Sequence, residues 1–227
     1  MSTPKPKTGP LTGIRILDLT RLYPGPLGAM LMADMGADVI KIEDINSPDY
    51  MRTFPPFVGE NSAGYLAVNR SKRSLAIDLR AVQGKKIFFD LVKTADIVVE
   101  SFRPNRLKKM GLDYEKARTA SEKIIYVSVT GYGQDGPYAQ KAGHDLNYLG
   151  YAGILALTGG KDSGPVIPGV QMADVAGGAY MTVIACLSAL WARERSPTRR
   201  GQHVDVSMLD SILPLMTLQW AHFQAFG

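Results

Sequence analysis

Three side chains in this sequence have the types and spacing to move a proton. His144 and Asp145 stand together in AGHDLNYLG, and Asp174 follows in ADVAGG. The chain has only 3 histidines, so one placed beside a carboxylate and ahead of an apolar helical pattern invites a chemical reading. An imidazole titrates near neutrality and serves as base in one direction and acid in the other. A carboxylate at a helix start is favoured in its charged form, and burial against an apolar pocket opposes that. A local reading stands beside the chemical one. Asp145 caps the helix that follows it, and Asp174 caps the next, a role whose loss costs about 1 kcal/mol. Asp145 also has the reach to orient His144. Gly177 and Gly178 weaken a helix interior by roughly 0.5–1 kcal/mol each. They imply close approach of a ligand or of another helix.

The elements around these residues alternate between strand and helix. GIRILDLT reads as a buried strand, RLYPGP as a turn, LGAMLMADMGA as a helix closed by Gly36, and DVIKIE as a second strand. RSLAIDL, ADIVVES, KIIYVSVTG and HVDVSM are further strands, and RAVQGKKIFFDLVKT, RPNRLKKMG and YEKARTASE are helices between them. This alternation predicts an α/β fold with a Rossmann-like parallel sheet covered by helices. The first loop is YPGPLGAM and not G-x-G-x-x-G, so a dinucleotide is not indicated. DINSPDYMRTFPPFVGENSAG is irregular, either a lid over a site or a plain surface connection. VAGGAYMTVIACLSALWA is uncharged, at the lower limit for a membrane span, and is read as a helix buried in a soluble core. LDSILPLMTLQWAHFQAF is a helix kinked or opened by Pro214.

Composition narrows the partners. The hydrophobic fraction is 45% and the charged fraction 21%, ordinary for a globular protein. The formal charge of +5 suits an anionic partner. The lysines and arginines are dispersed, without an aromatic-interleaved basic stripe, so a phosphorylated small molecule fits at least as well as nucleic acid. Cys186 is the only cysteine and lies in an apolar run, which predicts a buried, inert thiol. No Cys/His cluster has ligand spacing, so no metal is expected. MSTPKPKTGP lacks an apolar stretch and reads as a flexible tail over residues 1–10, and the cytoplasm is the expected compartment.

Six stretches, in order, resemble the class III CoA-transferase superfamily and within it the α-methylacyl-CoA racemases. They are LTGIRILDLTRLYPGPLGAMLMADMGADVIKIE, NRSKRSLAIDL, VVESFRP, YVSVTGYGQDGPYAQKAGHDLNY, ADVAGGAY and GQHVDVSMLDS. The resemblance implies an acyl-CoA substrate, with coenzyme A as part of that substrate and no permanently bound cofactor. It also implies His144 and Asp174 as the two acid/base groups of a racemisation through an enolate; Asp145, from its place beside the histidine, orients His144 or caps its own helix. In the transferases of the superfamily the later aspartate is instead a nucleophile that forms acyl and CoA adducts, and the histidine is generally lacking. A CoA-binding piece without catalysis is the third reading.

For the cofactor portion, the resemblance places Ile77, Asp78, Leu79 and Arg80 near the adenine. It places Ser101, Phe102, Arg103 and Lys109 near the phosphates, and Gly143, Leu146, Asn147 and Tyr148 along the pantetheine. Arg103 has independent support, because it follows a strand at the sheet edge where α/β proteins bind ligands. Lys109 and Asp44 stand where relatives often carry arginine. The resemblance further implies that residues 11–227 form the large CoA-binding domain of a C-terminally truncated chain. A small domain and a return segment follow in the family, as does an interlocked homodimer. No nucleic-acid or membrane partner is expected.

Overall fold

The computed structural model describes residues 8–227. Most of the expected tail over residues 1–10 lies outside them, and residues 8–10 are exposed. The strands of the main sheet are β1 (Arg15–Leu19), β2 (Asp38–Asp44), β3 (Arg73–Ile77), β4 (Ile97–Glu100), β5 (Ile125–Thr130) and β6 (His203–Ser207). The helices are α1 (Pro24–Asp34), α2 (Ala63–Asn69), α3 (Val82–Val92), α4 (Arg106–Met110), α5 (Tyr114–Ala120), α6 (Asp145–Tyr151), α7 (Met181–Arg195), α8 (Met208–Ile212) and α9 (Thr217–Phe226). A π-helix, Ala173–Tyr180, runs directly into α7.

Every neighbouring pair in the main sheet is parallel, and the strand order is β3-β2-β1-β4-β5-β6. This is the Rossmann order, and its reversal point lies between β1 and β4. The period-two alternation of side chains explains the layering. Ile16, Val39, Ile97, Val99, Ile125, Val127 and Val129 face one core with α1, α6 and α7. Leu17, Ile40, Ile42, Val98 and Tyr126 face the other, against Phe88 and Val92 of α3 and Ala117 of α5. Strands buried on both faces read as the near-continuous apolar runs of the sequence.

Three expectations need correction. The first concerns the long apolar helix, which is buried on only one side. Val183, Cys186, Ala189 and Leu190 are buried, while Tyr180, Ile184, Leu187 and Trp191 leave an exposed stripe. Among the described residues, Ala173–Arg195 is also the one helical segment long and apolar enough to cross a membrane, at mean hydropathy 1.6. Cys186 itself is buried, and burial pushes its thiol up to about 12.

The second concerns Pro214, which does more than kink. It sits in a 3-10 turn, Leu213–Met216, that separates α8 from α9. The third concerns Pro24 and Pro26, expected in a turn, which belong to the first turn of α1, where proline's missing N–H costs nothing.

The irregular stretch after β2 is pinned in place. Asp49 is fully buried and caps a 3-10 turn, Tyr50–Thr53, by accepting from the Met51 N–H at 3.0 Å. Its other oxygen pairs with buried Lys41 at 2.9 Å. Arg52 pairs with Glu43 and stacks on the Tyr65 ring. These contacts hold the Asp49–Arg52 part of the stretch, while residues 53–61 are exposed.

Candidate active site

A cavity of about 380 Å³ opens at the carboxyl ends of β1, β4 and β5, where the strand order reverses. Three loops and two helix starts build it.

The loop after β1 supplies Arg21 and Leu22. Leu22 takes φ 66°, a conformation costly for a branched side chain. Its N–H is held by Asp49 at 3.0 Å. Arg21 is fixed three ways: its N–H donates to Ser101 Oγ at 3.0 Å, its guanidinium donates to Ser47 Oγ at 3.2 Å, and it lies 4.7 Å from the centre of the Phe102 ring. The loop after β4 supplies Ser101, Phe102 and Arg103. Glu100 anchors it by accepting the Phe102 N–H at 2.7 Å, and burial pushes the Glu100 carboxyl up to about 7.

The loop after β5 wraps a tyrosine cluster. Tyr132 makes edge contacts with Tyr138, Tyr148 and Tyr151, and Lys141 lies 3.8 Å from the Tyr138 ring centre. Gly131 and Gly143 pack directly on the Tyr148 ring, leaving no room for a side chain. The Tyr148 hydroxyl donates to Gly143 O at 2.6 Å.

His144 ends this loop on the cavity wall, as the residue before α6. Asn147 Oδ1 accepts the His144 N–H at 2.9 Å, which holds the histidine backbone and leaves its ring exposed to the cavity. Asp174 faces the same cavity from the first turn of the π-helix and is only 7% exposed. Burial, and next the charge of Asp145, push its carboxyl up to about 7. No lysine, arginine or histidine forms an ion pair with Asp174 among the described residues. A buried carboxyl with no cation beside it keeps its proton to higher pH than a solvated one.

The helix-cap readings fail. Asp174 is not the cap of its helix; Met172 precedes that helix and Asp174 lies inside it. Asp145 is the first residue of α6 and neither caps it nor bonds His144. Its Oδ1 accepts the Asp174 N–H at 2.9 Å, tying the two helix starts together. The glycine question resolves toward helices: a side chain at Gly177 would strike the Met208 carbonyl of α8, and one at Gly178 would strike Pro24 of α1 and Met208.

Of the residues expected at a ligand site, Ser101, Phe102, Arg103, Gly143, His144, Tyr148 and Asp174 share this cavity. Lys109 lies in an adjoining open concavity with Pro104, Asn105, Lys108 and Gln140. Ile77 and Leu79 are buried in the core, and Leu146 is 39% exposed away from the cavity lining. Asp78 accepts the Arg80 N–H in a turn after β3, and Arg80 reaches Asp44 at 3.8 Å. Arg21, Tyr50 and Lys141 line the cavity and were not foreseen. Arg21 had a signal, since it follows a strand at the sheet edge as Arg103 does. Tyr50 and Lys141 had none, because their loops place them through tertiary contacts.

A family model described as CoA-transferase family III matches residues 11–227. A succinate–glutarate CoA-transferase of Agrobacterium fabrum is 45% identical over 208 residues, covering 88% of this chain and 51% of that protein. An α-methylacyl-CoA racemase of Mus musculus is 36% identical, covering 92% of this chain and 51% of that protein. A CAIB/BAIF family protein of Brucella suis has a crystal structure that superposes with a TM-score of 0.90 at 39% identity. That match covers 97% of this chain and 59% of the other. The chain therefore spans about half the length of the curated relatives it matches.

Proposed function

Because the chain belongs to CoA-transferase family III, we propose that it forms the CoA-thioester domain of an enzyme that moves CoA between carboxylic acids through Asp174. The observation that carries this reading is the Asp174 carboxyl, nearly buried, without a cation and pushed up to about 7 on the wall of the cavity. A carboxylate stripped of water and of ion-pair partners is a stronger nucleophile than a solvated one.

In its ionised form Asp174 attacks the thioester carbonyl. The C–S bond breaks, CoA leaves as the thiolate, and an aspartyl anhydride remains. The thiolate then attacks the Asp174 carbonyl, releasing the donor acid and leaving CoA on Asp174. An acceptor carboxylate attacks that thioester, displacing CoA again. The thiolate finally takes the new acyl group and returns Asp174 as a carboxylate. No electrons are gained or lost.

The Asp174 amide is already given to Asp145 and the Asn147 amide to the His144 carbonyl, so the thioester oxygen is assigned to the Asp145 amide, which follows His144 at the cavity wall. Arg103, with Lys108 and Lys109 in the adjoining concavity, suits the phosphates of CoA. Arg21 adds a further fixed cation to the cavity. Coenzyme A enters as part of the substrate, and nothing in this scheme needs a resident cofactor or metal.

A second reading, racemisation at the carbon next to the thioester, is favoured by one observation: His144 lines the cavity with Asp174. The imidazole and the carboxyl would take and return the α-proton on opposite faces. The relatives include both activities, and the transferase named above is the more similar of the two.

Two assays on one preparation separate the readings. Transfer of CoA from succinyl-CoA to a free dicarboxylate, lost in Asp174→Ala and kept in His144→Ala, is the expected result. Deuterium uptake at the α-carbon of a 2-methylacyl-CoA without any acceptor acid, lost in both variants, would establish the racemase instead. CoA binding with neither reaction would overturn both.

A further inference from the structure

Resting on the assignment of Asp174 as the reacting group, we propose that Asp145 is its positioning residue. The Asp145 carboxylate fixes the entry of the π-helix through the Asp174 amide and sets a negative charge against the Asp174 carboxyl.

Three features support this. The bond from the Asp174 N–H to Asp145 Oδ1 is 2.9 Å long, buried, and joins residues 29 apart in sequence. A helix start has amides without partners inside the helix, so an acceptor arriving from another element decides where that helix begins. The first turn of this π-helix is where Asp174 must be aimed. Asp145 is itself buried, at 8% exposure, so water does not screen it well from Asp174.

The surroundings of Asp174 make Asp145 the charge that matters. Tyr148 of α6, Tyr23 ahead of α1 and Tyr50 of the 3-10 turn all sense the Asp174 charge, and each is a neutral phenol with its own ionisation pushed up, chiefly by burial. Tyr180 is on the same π-helix, and α8 contributes Met208 to the cavity. Asp210 of α8 and His203 of β6 act on Asp205 of β6. Asp34 at the far end of α1 is paired with Arg70, and Arg193 and Glu194 of α7 pair with each other at its far end. Among the cavity cations, Arg21 is committed to Ser47 and Phe102, Lys141 lies on Tyr138, and Arg103 makes no ion pair with Asp174. His144 is the remaining titratable neighbour on the wall.

The test compares Asp145→Asn with Asp145→Ala. Asparagine keeps an oxygen for the Asp174 amide and removes the charge, whereas alanine removes both. The carboxyl carbon of Asp174 is followed by 13C NMR over a pH series, assigned by its absence in Asp174→Asn, alongside amide hydrogen exchange at residue 174. In Asp145→Asn the Asp174 midpoint should fall by ~0.5–1 unit, since a like charge nearby holds a carboxyl protonated. The acid limb of CoA transfer should move down with it. In Asp145→Ala the amide of residue 174 should also exchange at least ~10-fold faster. Should the alanine variant not fold, the asparagine variant decides. An unchanged midpoint in Asp145→Asn would overturn the proposal even with full transfer activity. A shifted midpoint in a protein with no transfer or exchange activity would uphold Asp145 and overturn the function assigned to Asp174.

Discussion

Asp18, near the end of β1, and Asp174, in the first turn of the π-helix, are both nearly buried carboxyls, yet their surroundings treat them in opposite ways. Asp18 receives the Thr20 N–H at 2.9 Å and pairs with Lys72 at 2.8 Å, with Lys41 close by. Burial alone would raise its ionisation, and the two lysines outweigh it, so Asp18 is held below its ordinary value. Lys72 is in turn satisfied by Pro26 O and Asn69, and Lys41 by Thr20 O and Asp49. Asp174 has burial and a second carboxylate, and both push it up. The first cluster is closed, with every charge answered inside the fold, and it locks β1, β2, α2 and the Tyr50 wall together. The second is left open toward the cavity. Burial by itself therefore says little about function; an unanswered charge on a cavity wall says much more.

The two aspartates should differ most in what their replacement removes. Asp174→Asn keeps the shape and the amide tie and removes the proposed nucleophile, so kcat for CoA transfer should fall by at least ~10³-fold, read against a closely matching melting curve near pH 4. The same measurement on Lys72→Met should give the reverse. Removing one partner of a buried pair costs about 3–5 kcal/mol of stability, measured by urea unfolding.

The two aspartates should also pull stability in opposite directions with pH. Asp18 is depressed on folding, so its contribution is present above about 3.9, its unfolded value, and is lost as the pH falls through its folded value. Asp174 is raised, so its contribution is present below about 3.9 and is lost as the pH rises through about 7. Asp174→Asn should then match the parent protein near pH 4 and exceed it by ~2–4 kcal/mol at pH 8. The smallest effect belongs to the scaffold behind the open cluster. Gly178→Ala would press on Pro24 and Met208, and should cost ~1–3 kcal/mol as an overpacked contact.

Much of the sheet was legible because parallel strands buried on both faces read as apolar runs, and RILDL, DVIKIED, IVVE and IYVSVT fall where expected. The long apolar helix misled because composition reports apolarity and not its direction. Trp191 and Cys186 look alike in the sequence, yet one is 66% exposed and the other fully buried. The pair His144 and Asp174 was legible by type and by resemblance. The tie from Asp145 to the Asp174 amide was not, because a carboxylate one residue past a histidine has several local uses and the partner it takes is 29 residues away. Tyr50 and Lys141 were hidden because Asp49 and the tyrosine cluster fix their loops through contacts that follow no regular spacing.

On the proposed mechanism the Asp174 carboxyl becomes bonded to substrate. The direct measurement is the mass of the peptide containing Asp174 after the protein is mixed with succinyl-CoA and quenched with hydroxylamine. Asp174 should be converted to its hydroxamate only when succinyl-CoA is present, with no such product from Asp145 or from the Asp174→Asn protein. An unmodified Asp174 in a protein that still transfers CoA would contradict that mechanism.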